Sequence, residues 1–211
     1  MIKLYGFPVS NYTQMVHFAL LEKGLEFVQE QPSQEPGFKA KSPMGKVPCI
    51  ETDDGFLSET PAILGYLEQI QPTPALMPSD PFAAAKAREL LAELIFYVEL
   101  SARRHYQEVF FKGERNRAAF DEVKPVLGNA LAALNQLGKF DPFICGSEFT
   151  AVDIVAAYTF CYAQPVAQAV YGWDIIAAVP GLQEAIDATH ARDAGIIVGA
   201  SHSKALEAFA A

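Results

Sequence analysis

Two short runs can do chemistry together. Lys46-Val47-Pro48-Cys49-Ile50 reads as an apolar strand broken by proline, and Ser58-Glu59-Thr60-Pro61-Ala62-Ile63 opens a helix. Pro48 donates no backbone hydrogen bond, so the ladder stops or bends there. Pro61 fits only the first turn of a helix. A helix start presents free N–H groups and the positive end of its dipole, which suits a carboxylate. The stretch before Pro48 leaves backbone donors and acceptors open at the sheet edge. Together these can hold a small peptide, one end at the helix start and its middle against Val47. The same residues also fit a plain hairpin followed by a capped helix, and spacing alone leaves both readings open.

The surrounding elements must position these runs. Ile2 to Gly6 reads as a strand, and Asn11 to Lys23 as a helix with apolar Met15, Val16, Phe18, Ala19 and Leu20 that stops at Gly24. Leu25 to Gln29 is a second strand, so residues 1–29 form a βαβ unit with a right-handed crossover. Gln31 to Ser42 is polar and reads as a loop with one helical turn; its Lys39 and Lys41 are read as solvated, with a ligand carboxylate as the alternative. Asp54-Gly55 is a hairpin turn and Phe56-Leu57 the return strand. Prolines 72, 74, 78 and 81 make Gln71 to Pro81 a linker. Beyond it the pattern is helical: Phe82 to about Lys112, then Arg115 to Leu137 ended by Gly138. Thr150 with Asp153 forms a capping box before the apolar run Ile154 to Tyr162. The rest reads as helix from Tyr171, a turn at Val179-Pro180-Gly181, helix to about Arg192 and an alanine-rich tail, with Tyr171 and Trp173 packing.

Composition narrows the class. The chain has 211 residues, 51% of them hydrophobic, enough for two modest domains with real cores. The formal net charge of -9 disfavours nucleic acid or an anionic membrane as partner. Cys49, Cys145 and Cys161 are widely spaced, with no CxxC, which fits a reducing compartment. No apolar run approaches the ~20 residues of a membrane span, so a cytoplasmic protein is expected.

At Lys46-Val47-Pro48 and Glu59-Thr60-x-Ala62-Ile63 the chain resembles the cytosolic glutathione transferases. The resemblance extends over essentially the whole chain, and Gly146-x-x-x-Thr150-x-x-Asp153 is a second point of it, a folding motif. It implies α/β plus all-α architecture: a thioredoxin-like βαβ–ββα domain over 1–75, then a helical-bundle domain over 82–211. It implies a cis bond at Val47–Pro48 and backbone pairing of Val47 with the cysteinyl part of glutathione. Glu59 and Thr60 would hold the γ-glutamyl end, with Lys46 near the glycyl carboxylate. Thioredoxin-like redox proteins usually carry CxxC where this chain has Ser10-Asn11-Tyr12-Thr13, so dithiol chemistry is not expected.

Glutathione chemistry needs a thiolate, and a free thiol with pKa ~8.5 is mostly protonated at neutral pH. A hydroxyl at a helix mouth supplies both a donor and a dipole for the anion. By similarity to the serine-type classes Ser10 is the catalytic candidate; the alternative is that it merely caps the helix. Tyr5 is the rival from the tyrosine-type classes, but it lies one residue early, which in a strand turns it to the other face. Asn11 and Tyr12 remain further candidates. Phe7, Val9, Tyr106, Phe110 and Phe111 are candidates for an apolar electrophile pocket in the helical domain, against the reading that they are core. The expected function is conjugation of glutathione, as co-substrate and without a metal, to a small apolar electrophile by a homodimer. A glutathione-dependent isomerase and a non-catalytic glutathione-fold binding module are the alternatives.

Overall fold

The computed structural model describes residues 1–32 and 36–210; residues 33–35 of the expected loop, and Ala211, lie outside the described residues. The chain divides into two compact units, Met1–Leu76 with His190–Ala211, and Met77–Thr189.

The first unit follows the expected order. Strand β1 (Ile2–Tyr5), helix α1 (Asn11–Glu22) and strand β2 (Phe27–Glu30) are followed by a 3₁₀ turn at Pro36–Ala40. Strands β3 (Cys49–Thr52) and β4 (Gly55–Ser58) then lead into helix α2 (Thr60–Ile70). The sheet order is β2-β1-β3-β4, with β1 parallel to β2 and the other pairs antiparallel. Strand β2 starts two residues later than the sequence reading because α1 uses the preceding amides. Gly24, at φ +61, donates to Leu21, and Leu25 donates to Leu20, so the helix end closes before pairing begins.

One sheet face is apolar: Leu4 and Ile50 are fully buried, as are Val16, Leu20, Ile63 and Leu67 of the helices. The Lys23 side chain, wholly removed from solvent, joins Glu68 of α2 at 2.5 Å and the Pro74 carbonyl at 2.6 Å. The expected alanine-rich tail is instead helix α9 (Asp193–Ala210). It packs on α1, and Arg192 grips both oxygens of Glu22 at 2.8 and 2.7 Å. Residues 190–211 therefore group with the first unit, where the sequence reading carries the helical part on to Ala211.

In the second unit the expected long helix is interrupted. Helix α3 (Pro81–Ala92) runs into a π-helical turn at Glu93–Glu99 and a short α4 (Leu100–Arg103), and α5 (Tyr106–Phe110) follows a break. Buried His105 sits at that break. Its Nδ1 meets Glu108 and its Nε2 lies 2.8 Å from the Tyr171 hydroxyl, so local polar partners compete with the helical ladder. Helices α6 (Arg117–Leu137), α7 (Ala151–Tyr171) and α8 (Leu182–His190) complete the series. Tyr171 ends α7 rather than starting a helix, because Gly172 adopts φ +62 there. It packs as expected, its ring against Phe120. Among the described residues no helix is long and apolar enough to cross a membrane.

The capping box forms as read. The Asp153 carboxylate accepts from Thr150 N–H at 2.8 Å, the Thr150 hydroxyl at 3.0 Å and Ile144 N–H at 2.7 Å, all buried. Asp153→Ala strips three donors at once, so unfolding free energy should fall by about 3 kcal/mol in urea titration. Burial holds the His17 and His202 imidazoles below their ordinary pKa. The unfolded chain then binds more protons once pH drops below ~6.5, so their contribution is complete above that pH and lost as pH falls. His17→Gln should flatten the decline in stability between pH 7 and 5, by up to about 1.4 kcal/mol per pH unit.

Candidate functional site

Strand register gathers three segments at one end of the sheet. Cys49, the first residue of β3, pairs with Tyr5 at the end of β1 and with Ser58 at the end of β4. The loop leaving β1 carries Ser10. The chain entering β3 carries Lys46, Val47 and Pro48. The chain leaving β4 carries Glu59 and Thr60. Both α1 and α2 begin there, so two helix N-termini bring positive dipole ends to one sheet end.

The Ser10 loop is pinned. Gly6 makes room for it, since a Cβ there would stand 2.4 Å from the Thr13 hydroxyl in the first turn of α1. Ser10 N–H donates to Phe7, and Gln14 donates to the Pro8 carbonyl. Ser10 is the N-cap: its Oγ accepts from Thr13 N–H at 3.3 Å. The residue is half-buried, and its own O–H donates to no group among the described residues. Capping and donation to a ligand are therefore compatible in one side chain.

Val47 is partly buried against Tyr5, Phe38 and Cys49. The Val47–Pro48 bond is cis, as the resemblance implies. Ladder pairing starts only at Cys49, so the Val47 N–H and C=O have no backbone partner among the described residues. Lys46 is exposed, and its carbonyl accepts from the Ser42 hydroxyl at 2.7 Å. At the head of α2, Glu59 is exposed and adopts φ 72, ψ 115, a region L residues rarely enter. No side chain caps the helix. Thr60 is buried, with relative exposure of 3%, and its hydroxyl has no hydrogen-bond partner among the described residues. An uncapped helix start, an orphaned hydroxyl and an open backbone pair thus share this end of the sheet, each suited to a polar ligand.

Tyr5 is committed elsewhere. Its buried ring packs edge-on against Phe38, and its hydroxyl donates to Glu51 and accepts from Lys41 at 2.5 Å. Burial, with the Glu51 bond, raises its pKa. Lys41 is thus not the solvated lysine of the sequence reading; Lys39 is exposed. Asn11 is buried and Tyr12 half-buried in the first turn of α1. Burial raises the pKa of all three thiols, Cys49, Cys145 and Cys161, so none has the character of an activated nucleophile.

Of the aromatic candidates, Phe7 and Val9 belong to the loop after β1, Phe7 being exposed. Within the second unit Tyr106 and Phe110 meet Tyr162 of α7, with ring centroids 5.2, 5.7 and 5.4 Å apart in the three pairs. Phe111 is exposed. The Tyr106 hydroxyl donates to fully buried Glu99 at 3.2 Å, and Arg103 both pairs with Glu99 and lies over the Tyr106 ring. Burial drives the Tyr106 pKa far up. The sequence reading missed Tyr162, Glu99 and Arg103. The i,i+4 spacing of Glu99 and Arg103 was the available signal.

Residues 4–75 match the family model of the glutathione S-transferase N-terminal domain, and residues 117–188 that of the C-terminal domain. A glutathione S-transferase of Pseudomonas putida is 43% identical over 182 residues, covering 85% of this chain and 83% of that protein. The maleylacetoacetate isomerase of Pseudomonas aeruginosa is 37% identical over 101 residues, 43% of this chain and 47% of its own length. The crystal structure of a glutathione transferase homologue from Sulfitobacter, with bound glutathione, gives a TM-score of 0.74 at 22% identity. It covers 94% of this chain and 97% of that one, a likeness of fold. The matched domains, the similar relative along most of its length and the shared fold agree: the chain belongs to the glutathione S-transferase family.

Proposed function

We propose that the chain adds the glutathione thiolate to an electrophilic carbon of a small apolar molecule, as a cytoplasmic homodimer. The observation that carries this reading is the set of unmet groups at one sheet end: the Val47 backbone, the Thr60 hydroxyl and the uncapped start of α2. In this reading Val47 pairs with the cysteinyl residue of glutathione as a short added strand. The Thr60 hydroxyl and the α2 amides receive the γ-glutamyl carboxylate. The Glu59 carboxylate faces the γ-glutamyl ammonium, and Lys46 the glycyl carboxylate. The Ser10 hydroxyl, free to donate, stabilises the thiolate beside the N-terminus of α1. The thiol proton leaves to solvent and the sulfur forms the new bond to carbon, while the carbon's own electron pair either moves into the electrophile's π system and is protonated from solvent or departs with a leaving group. Tyr106 and Phe110, with Tyr162, present apolar surface for the electrophile. Holding two reactants in line and lowering the thiol pKa account for most of the acceleration.

The test is ultraviolet titration of glutathione bound to the parent and to Ser10→Ala. The bound thiol should ionise well below ~8.5 in the parent and return towards that value in the variant. Binding with no change in thiol ionisation in either protein would overturn the proposal in favour of a binding module.

A second reading, glutathione-dependent isomerisation, is favoured by the similarity to the Pseudomonas aeruginosa isomerase over 101 residues. Net loss of free thiol during turnover separates the two, since an isomerase regenerates glutathione.

The φ of 72 at Glu59 adds a further expectation. Glu59→Gly relieves a strained backbone that costs about 1–3 kcal/mol, offset by about 1 kcal/mol of glycine entropy. The variant should unfold no earlier than the parent in a thermal scan, yet bind glutathione more weakly. Glu59→Ala keeps the strain and should show only the weaker binding.

A further inference from the structure

The sheet face opposite Leu4 carries a polar cluster that the proposed reaction does not use. Lys3 and Tyr5 of β1, Glu51 of β3 and Phe56 of β4 share it by register. Lys41 reaches onto it from the segment between β2 and β3. Its ammonium donates to the Tyr5 hydroxyl at 2.5 Å and to Glu51 at 3.1 Å, and lies 4.1 Å from the Tyr5 ring centroid and 5.0 Å from that of Phe56. The Tyr5 hydroxyl donates in turn to Glu51, and Lys3 binds its other oxygen at 3.2 Å. The bonds from Tyr5, Lys41 and Lys3 draw the Glu51 pKa down to about 2, so this carboxylate is charged at neutral pH.

The same segment also leads directly to Val47. Lys41 and Ser42 both donate their N–H to Phe38, whose ring packs on Tyr5. The Lys41 carbonyl accepts from the buried Cys49 thiol at 3.4 Å. Next in the chain, the Ser42 hydroxyl holds the Lys46 carbonyl at 2.7 Å, and Gly45 N–H returns to the Ser42 carbonyl. The Lys46 carbonyl is part of the peptide plane that also carries the Val47 N–H. Its direction therefore fixes where that N–H points. Val47 itself rests on Tyr5, Phe38 and Cys49, the residues the Lys41 contacts surround.

We infer that Lys41, locked between Tyr5 and Glu51, is a positioning residue that sets the Lys46–Val47 peptide for glutathione without touching it. The inference rests on the reading of Val47 as the glutathione-pairing backbone. Lysine suits the place, because its ammonium lies near two aromatic rings while it bridges a phenol and a carboxylate. A neutral side chain of similar length keeps the packing but releases the segment from the sheet.

The test compares steady-state kinetics, with glutathione varied, for the parent, Lys41→Met, Lys41→Arg, Tyr5→Phe and Lys3→Met. Lys41→Met should raise KM for glutathione about tenfold, the equivalent of losing a charged hydrogen bond. Its kcat at saturating glutathione and the ionisation of the bound thiol should stay at parent values, a split that general loss of stability does not produce. Tyr5→Phe removes the bridging hydroxyl and should raise KM in the same sense. Lys41→Arg should restore most of the affinity. Lys3→Met, in the cluster but outside the 36–47 segment, should leave KM unchanged. A parent that binds glutathione while Lys41→Met and Tyr5→Phe keep its KM would overturn the inference alone. A fall in kcat with a shifted thiol ionisation would also overturn it, because the effect would then lie at the sulfur. A parent that binds no glutathione would overturn the reading of the site, and the inference with it.

Discussion

Antiparallel pairing at Cys49 is the constraint on which the candidate site depends. That residue stands in register between the last residue of β1 and the last of β4. That alignment brings the loop after β1, the entry to β3 and the exit from β4 to a common end. Two helices begin from that end, so their first-turn N–H groups lie at it. A slip of one residue in β3 would exchange Cys49 and Ile50 between the two faces. It would bury Glu51 on the apolar side and move Val47 away from the helix starts. The fold's own core, Leu4 and Ile50 with no exposed surface, thereby enforces the geometry of the polar end.

The two helix starts at that end differ, although each has a buried threonine, Thr13 and Thr60, whose hydroxyl lacks a partner among the described residues. The first turn of α1 is capped by Ser10 and ended by the Gly24 turn, whereas α2 starts with no cap and a strained Glu59. Natural proteins rarely leave a buried hydroxyl such as Thr60 without a partner unless something else supplies one. Strain and unmet hydrogen bonds at one place are the usual signs of a surface shaped for a ligand rather than for stability. The second unit shows a different arrangement. Its Glu99 is fully buried yet paired with Arg103 and hydrogen-bonded to Tyr106, so the aromatic cluster stands on a satisfied polar base.

Much of this was legible because local chemistry decided it. Gly24, Pro61, Gly138 and the Thr150–Asp153 pair act within a turn of their own positions, and each ended or began its element as read. The βαβ–ββα order followed from periodicity and turns alone. What stayed hidden depends on residues far apart in the chain. Lys41 looks like any loop lysine until folding brings Tyr5 beside it, 36 positions away. The break at His105 depends on Tyr171, 66 residues on. Alanine-rich residues near the end of the chain gave no period strong enough to separate a tail from α9. The role of Ser10 could be narrowed by position, but a capping serine and a donating serine have the same sequence.

The fork between Arg192 and Glu22 joins residues 170 positions apart. The first unit is therefore discontinuous: its sheet and first two helices leave the ribosome long before the helix that covers α1. Synthesis at ~5–20 residues per second puts roughly 8–35 seconds between the two ends of that contact. During that interval α1 lacks its α9 neighbour, and the second unit can complete itself first. The unit that carries the Ser10, Val47 and Thr60 segments thus receives its last helix only after the residues of the second unit have been made.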